Sequence, residues 1–334
     1  MAHIDVSKFN NTFALSGSPM VVRVHDFQFG RNADGTPSLF RQVMVEVTAY
    51  YDSILTDSNK RVFQFPVPVE VGASDVVCDI SSAIRSSLAK YQYSTDGVAK
   101  NGNITYPNCA FIIRAWEREL IDGELKEHSP VQYPSESSLL HAGLGGMSQY
   151  ERWKNSSVNQ TFSFSTKPTT GEIFANGQIV CSSALNGSSV KTTFSEASAN
   201  IDSRERTVFL FVNSRGVFET VSALPRQSLG YGISSERKQL SQSPSYAPSP
   251  VITTHKEGGG AVWQMSSGYV DADWADWFAS EFLMAKRYWL WHDGRWLPVA
   301  VEPDGDTVMV YDLNDPSLLA VNFTVRSALN GSIR

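Results

Sequence analysis

Thr207-Val208-Phe209-Leu210-Phe211-Val212-Asn213 is a nearly unbroken apolar run. Ser214-Arg215-Gly216 follows it, and Val217-Phe218-Glu219-Thr220-Val221-Ser222-Ala223-Leu224 comes after the turn. A run of this length, rich in Val and Phe and bounded by turn residues, reads as a core strand. Arg215-Gly216 turns the chain, with Gly216 at a place where a Cβ is disfavoured. The second run then returns beside the first. The fold class follows from how often this signal recurs.

It recurs along the whole chain. Met20–His25, Gln42–Tyr51, Arg61–Val71 and Ala110–Glu117 are strand-like in the first half. Thr161–Thr166, Glu172–Cys181, Ser189–Phe194, Ala261–Ser266, Tyr288–Trp291, Arg295–Val301, Thr307–Asp312 and Leu318–Arg326 are strand-like in the second. Asp122-Gly123, Asn186-Gly187 and the Asp293-Gly294 pair mark hairpin turns, because Asp, Asn and Gly tolerate positive φ. Residues 31–37 read as a turn between two strands. Two helices interrupt the pattern. Asp79 caps the first, which puts Ile80, Ile84, Leu88 and Tyr91 close to one face. Asp271 caps the second, with Trp274, Trp277, Phe278, Phe282 and Ala285 on one side.

Parallel α/β folds need a helix between most strands, and this chain has two. The expected architecture is mainly β: two antiparallel β-sandwich-like or barrel-like domains, each with one short helix. The first domain is expected over 1–128. A polar, Gly-containing connecting segment follows over 129–159. The second domain covers 160–334 and carries an extended arm over 225–250, rich in Pro and Ser.

The composition excludes several functions. The chain has 334 residues, 42% hydrophobic and 19% charged, so it has enough apolar material for a packed core. Its net charge of −6 gives little gain from phosphate neutralisation, so no nucleic acid is expected as a partner. Cys78, Cys109 and Cys181 are widely spaced and odd in number, which argues against a disulfide framework or a zinc site. No apolar run is long enough for a membrane span. The polar start is not a signal peptide, so synthesis in the cytoplasm is expected.

Catalytic patterns are weak throughout. Gly143, Gly145 and Gly146 lack the Lys and Ser/Thr of a phosphate loop. The six histidines show no metal-ligand spacing, and there is no GxSxG elbow. Asp273 and Asp276 share one helix with Asp271 and Glu281, so they cannot face each other across a substrate. No catalytic residue, cofactor-binding residue or metal ligand is expected, and the chain reads as no enzyme. The aromatics Trp263, Tyr269, Tyr288, Trp289, Trp291 and Trp296 are the candidate partner or ligand surface; the competing reading places them in the core between helix and sheet. In Tyr288-Trp289-Leu290-Trp291 alternate residues face opposite ways, so Trp289 and Trp291 share a face and Tyr288 takes the other.

The C-terminal third carries a resemblance. Asn213-Ser214-Arg215-Gly216-Val217-Phe218-Glu219, then Met265-Ser266-Ser267-Gly268-Tyr269-Val270 leading into a capped helix, then Tyr288-Trp289-Leu290 and Pro298-Val299 form an ordered series. It resembles a module of tail and baseplate-type virion structural proteins of phages and prophages of gut Bacteroidetes. Leu15-Ser16-Gly17-Ser18-Pro19-Met20-Val21 is similar to the opening of the same proteins. Ser214 before Arg215 departs from that pattern. The resemblance spans about Val208 to Arg326 and brings no catalytic residue. It implies a structural, assembling component of a virion, with other tail proteins and further copies of the chain as partners, in a homo-oligomer. The alternative expectation is a carbohydrate- or receptor-binding module that uses the C-terminal aromatics on a glycan or receptor.

Overall fold

The computed structural model describes residues 3–5, 13–52, 54–96, 98–99, 101–134, 139–146, 163–168, 174–198, 206–225, 230–240, 251–304, 309–311 and 319–327; for 230–240, 251–260 and 309–311 it describes the backbone alone. The chain is mainly β, with antiparallel pairing almost throughout.

The first half contributes β1 (His3–Asp5), β2 (Ala14–Leu15), β3 (Val21–His25), β4 (Arg41–Tyr51), β5 (Lys60–Pro68), β6 (Asp75–Asp79), α1 (Ser81–Leu88), β7 (Asn103–Thr105), β8 (Cys109–Ile121), β9 (Glu124–Glu127), β10 (Val131–Tyr133) and β11 (Leu140–Gly143). Strands β1, β3 and β6 form one sheet; β2, β11, β8, β4 and β5 form a second, to which β9 and β10 add through β8. Val22 and Val24 of the first sheet, Val43, Val45, Val47, Phe111 and Ile113 of the second, and Ile80, Ile84 and Leu88 of α1 share one buried core. The helix therefore packs on the sheets through the face its spacing predicts. The helix cap is Ile80, with no side-chain cap, and not the expected Asp79. Asp79, one residue earlier, accepts from Ser81 N at 2.9 Å and from Met20 N at 3.0 Å, which ties the start of the helix to the strand entering β3.

This unit is larger than the 1–128 expected. Val131 pairs with Ala115 and Leu140 with Phe111, so the start of the expected connecting segment belongs to the sheet. The unit also gives up a strand. β7 pairs with β13 of the second half, not with its own neighbours. Within the 129–159 segment, residues 135–138 and 147–159 lie outside the described residues.

The second half contributes β12 (Ile179–Asn186), β13 (Ser189–Glu196), β14 (Thr207–Val212), β15 (Phe218–Pro225), β16 (Gly230–Leu240), β17 (Val251–Val270), α2 (Ala272–Trp277) continued by a π-helical turn over Phe278–Phe282, β18 (Tyr288–His292), β19 (Arg295–Pro303), β20 (Met309–Tyr311) and β21 (Leu319–Ser327). Six of these strands close on themselves in the order β14-β15-β17-β21-β19-β18, and β18 pairs back onto β14. The result is an antiparallel barrel and not an open sandwich. Closure depends on β17, which pairs with β21 along one edge and with Leu224 and Pro225 along the other. Its register shifts between Ser266 and Tyr269, where Gly268 has φ +74°. A bulge bends a strand and raises its twist, and here it turns β17 around the barrel. Ser267 Oγ accepts from Val321 N at 2.9 Å and so satisfies the amide next to the irregularity.

The inward face of the barrel carries Phe209, Phe211, Val221, Ala223, Met265, Leu290, Val299, Val321, Phe323 and Val325. Trp277, Phe278 and Phe282 close one end. Phe282 lies 5.3 Å from Phe211 and 5.5 Å from Phe323 between ring centroids. Asp271 caps α2 by accepting from Trp274 N at 2.9 Å. The aromatic spacing of this helix thus marks a plug.

Of the run Thr161–Thr166 expected to be a strand, residues 161–162 lie outside the described residues, and 163–168 are irregular. Their amides and hydroxyls bond a buried carboxylate, Glu219, in place of a neighbouring strand.

Candidate functional site

Three places combine exposure, chemistry or close packing. The first joins the two halves. Ser16–Ser18, Leu144–Gly146 and Ser214–Gly216 meet backbone to backbone. Ser16 N donates to Gly143 O at 3.0 Å, and Gly146 N donates to Ser214 O at 2.7 Å. Gly145 has φ +84°, and a Cβ there would overlap the Arg215 carbonyl and the Gly216 nitrogen. A Cβ on Gly216 (φ +74°) would meet Gly145 N at 2.6 Å. The glycines set aside as a phosphate loop are a weld. The stretches near Gly17 and near Gly216 both touch it.

The Asn213–Glu219 stretch is built around the weld. Asn213 Nδ2 donates to Phe164 O at 2.9 Å and to Glu219 Oε2 at 2.8 Å. Glu219 is 2% exposed and also accepts from Ser165 Oγ at 2.6 Å, Thr166 N at 3.1 Å and Thr166 Oγ1 at 2.7 Å. A buried carboxylate with this many donors is a structural clamp. Phe218 sits among Tyr93, Tyr106, Phe194 and Trp289. Phe218 N donates to the Tyr106 hydroxyl at 2.7 Å, and Tyr93 donates to Gly216 O at 2.8 Å. Burial pushes the Tyr93 and Tyr106 phenols well above their ordinary value. This aromatic core is common to both halves of the chain.

Other buried carboxylates are similarly committed. Glu119 accepts from Gly30 N at 2.8 Å and pairs with His128 Nε2 at 3.0 Å, while Glu117 accepts from Gln28 N at 3.3 Å. Both hold the 28–30 loop. Among the described residues no group of three or more His, Cys, Asp or Glu is placed to hold a metal ion. Cys78 and Cys109 are buried free thiols, and Cys181 is half-buried.

The second place is the barrel mouth, at the end away from α2. Gln178, Arg206, Pro225, Trp263, Trp291, His292 and Asp293 surround a cavity of about 330 Å³, with Phe209, Met265, Leu290 and Val325 also in its wall. Gln178 accepts from Ala175 N at 2.8 Å and donates to Arg206 O at 2.7 Å, which fixes it on the rim. The Trp263 and His292 rings meet edge-to-face at 6.1 Å, and His292 Nε2 lies 3.4 Å from Asp293 Oδ2.

The six aromatics expected to form one surface are dispersed. Tyr288 is a core residue; its hydroxyl donates to Phe282 O at 2.7 Å, and burial pushes its pKa up. Trp289, on the opposite face as alternation requires, packs on Phe218 at 5.4 Å. Trp291 and Trp296 pair edge-to-face at 4.9 Å, and Trp296 Nε1 donates to Val98 O at 3.2 Å, so the first half of the chain covers that face. Tyr269 is 50% exposed at the β17 bulge. Trp263 remains at the mouth; Trp291 borders it, with its ring packed on Trp296. Sequence reasoning missed Arg206, Gln178 and His292, which come from three separate segments.

The third place is a ribbon. β16 pairs with residues 251–262 of β17, from Gly230↔Val262 to Leu240↔Val251, with one register shift between Gly232 and Ser234. β21 joins β17 only from Val262 onward, and β15 only at Met265 and Ser266. The arm expected over 225–250 is therefore one strand of a two-stranded hairpin whose other strand is the early part of β17. Residues 226–229 and 241–250 lie outside the described residues.

No protein-family model matches the chain, and no curated protein and no solved structure matches it. Its class rests on its own geometry: a mainly β protein in which a closed six-stranded barrel is welded to a β-sandwich. No helix among the described residues is long and apolar enough to cross a membrane.

Proposed function

We propose that the protein is a non-enzymatic structural component that works by assembling with further copies and with other proteins of a larger particle. The phage or prophage tail or baseplate is the setting favoured by the resemblance of Asn213–Glu219 and Met265–Val270 to virion proteins.

The observation that carries this reading is the β16–β17 ribbon. A two-stranded ribbon is at best marginally stable in water. Among the described residues no further strand pairs with β16, so its outer edge offers N–H and C=O groups to another chain. Among the described sheet edges several are guarded: β5 carries Pro66 and Pro68, which cannot donate to an incoming strand, and β1, β2, β7 and β20 are three residues or shorter. β6 and β12 are edges of five and eight residues without proline. β16 spans eleven residues with no proline, longer than either. A long unguarded edge fits a docking element. The buried carboxylates support the same reading, since each holds backbone amides.

Light scattering on the intact protein and on a variant lacking residues 230–258 tests this. The intact protein is expected to form a defined oligomer, and the variant to be a folded monomer. An intact protein that stays monomeric overturns homo-assembly.

A further inference from the structure

We infer that the barrel mouth is a binding site for a single saccharide unit. Mouths of small β-barrels are recurrent ligand sites, because side chains fill the middle of the barrel and leave the ends open. Here the aromatic plug of α2 fills one end, and the other keeps a cavity of about 330 Å³. That is room for one sugar ring, at the small end of ligand pockets.

The lining matches the chemistry of a pyranose. A sugar ring has a face of C–H groups and an edge of hydroxyls. The face needs an aromatic or apolar wall, and Trp263, Leu290 and Met265 provide one. The hydroxyls need donors and acceptors in fixed positions, and Arg206, Gln178, His292 and Asp293 stand around the same space. These groups are pre-positioned. Trp263, Leu290 and His292 are on barrel strands, Gln178 is held by two hydrogen bonds, and His292 is braced against the Trp263 ring. The exposed Asp293 and half-exposed His292 at the lip disfavour a purely apolar ligand, because covering them with one would remove their solvent without replacing it.

The test of this site uses the full-length protein, with isothermal titration and Trp emission against glucose, galactose, mannose, rhamnose and N-acetylglucosamine and their disaccharides. At least one is expected to bind saturably and to change Trp emission. Trp263→Ala is expected to weaken that binding about tenfold or more. Asp293→Asn tests the lip alone, since Asn tolerates the positive φ of that turn (+48° at Asp293), and is expected to weaken binding severalfold with the fold intact. Silence across the whole panel overturns the site. Binding that survives both substitutions unchanged places it elsewhere and overturns it too. Preferential binding of N-acetyltryptophanamide, used as a probe for a peptide aromatic, overturns the ligand class.

Discussion

Gly145 and Gly216 lie against each other with no side chain between them: a Cβ on Gly216 would stand 2.6 Å from the Gly145 nitrogen. Gly145 follows β11 of the second sheet, and Gly216 is in the β14–β15 turn of the barrel. The two halves thus touch through main chain, where adjustment is smallest.

Gly145→Ala should therefore cost about 3 kcal/mol or more, the sum of left-handed strain and a backbone overlap. Gly187→Ala is the matched control. Gly187 also has positive φ, +63°, but open space around it, so strain alone of about 1 kcal/mol is expected. Urea unfolding of both variants measures the difference. Equal losses would mean that the weld adds nothing.

Glu219→Gln should destabilise by about 2–4 kcal/mol, because one of its acceptor oxygens becomes a donor facing other donors. Trp277 Nε1 donates to Thr166 Oγ1 at 3.0 Å, and Thr166 is held by Glu219. Release of that segment should red-shift Trp emission and open the chain to cleavage after Phe164. Limited proteolysis with chymotrypsin checks it.

Asp271→Ala removes the side-chain cap of α2 and should cost about 1 kcal/mol. Thermal unfolding of the variant gives the number. Asp271→Asn should recover most of it, since Asn also accepts from the helix amide.

Burial pushes the Cys78 thiol up to about 11, with Asp79 adding to the shift, and the Cys109 thiol up to about 12. Folded-state values above the ordinary 9.0 mean that the stability these groups contribute is fully present below about pH 9 and is lost as pH rises toward 11–12. Unfolding midpoints should fall over that window. In the native protein both thiols should stay slow toward a maleimide at pH 9, and react once denaturant is added. Fast native labelling of Cys109 would contradict its burial.

Much of this fold was legible because the signals are local. Asp122-Gly123, Asn186-Gly187 and Asp293-Gly294 declare their turns through residues that accept the positive φ found there. The apolar spacings of α1 and α2 declared their packing faces. Barrel closure was not legible. It depends on a bulge between Ser266 and Tyr269 and on pairing of β17 with β21, which joins distant segments. The ribbon escaped as well, since Ser234-Ser235-Glu236-Arg237-Lys238-Gln239 has no apolar alternation to mark a strand. Gly145 and Gly146 could be rejected as a phosphate loop from their neighbours, but their packing depends on residues near 17 and 216. The indoles read as one surface because they are close in sequence. Alternation along β18 and cover from Val98 and Phe218 separate them.

β16 is the edge proposed to join this protein to others. Amide hydrogen exchange across Gly230–Leu240, followed as protein concentration rises, reads that edge directly. Slow exchange that appears only in the associated protein is the predicted result. Exchange that remains fast at every concentration, while the barrel strands stay protected, would contradict it.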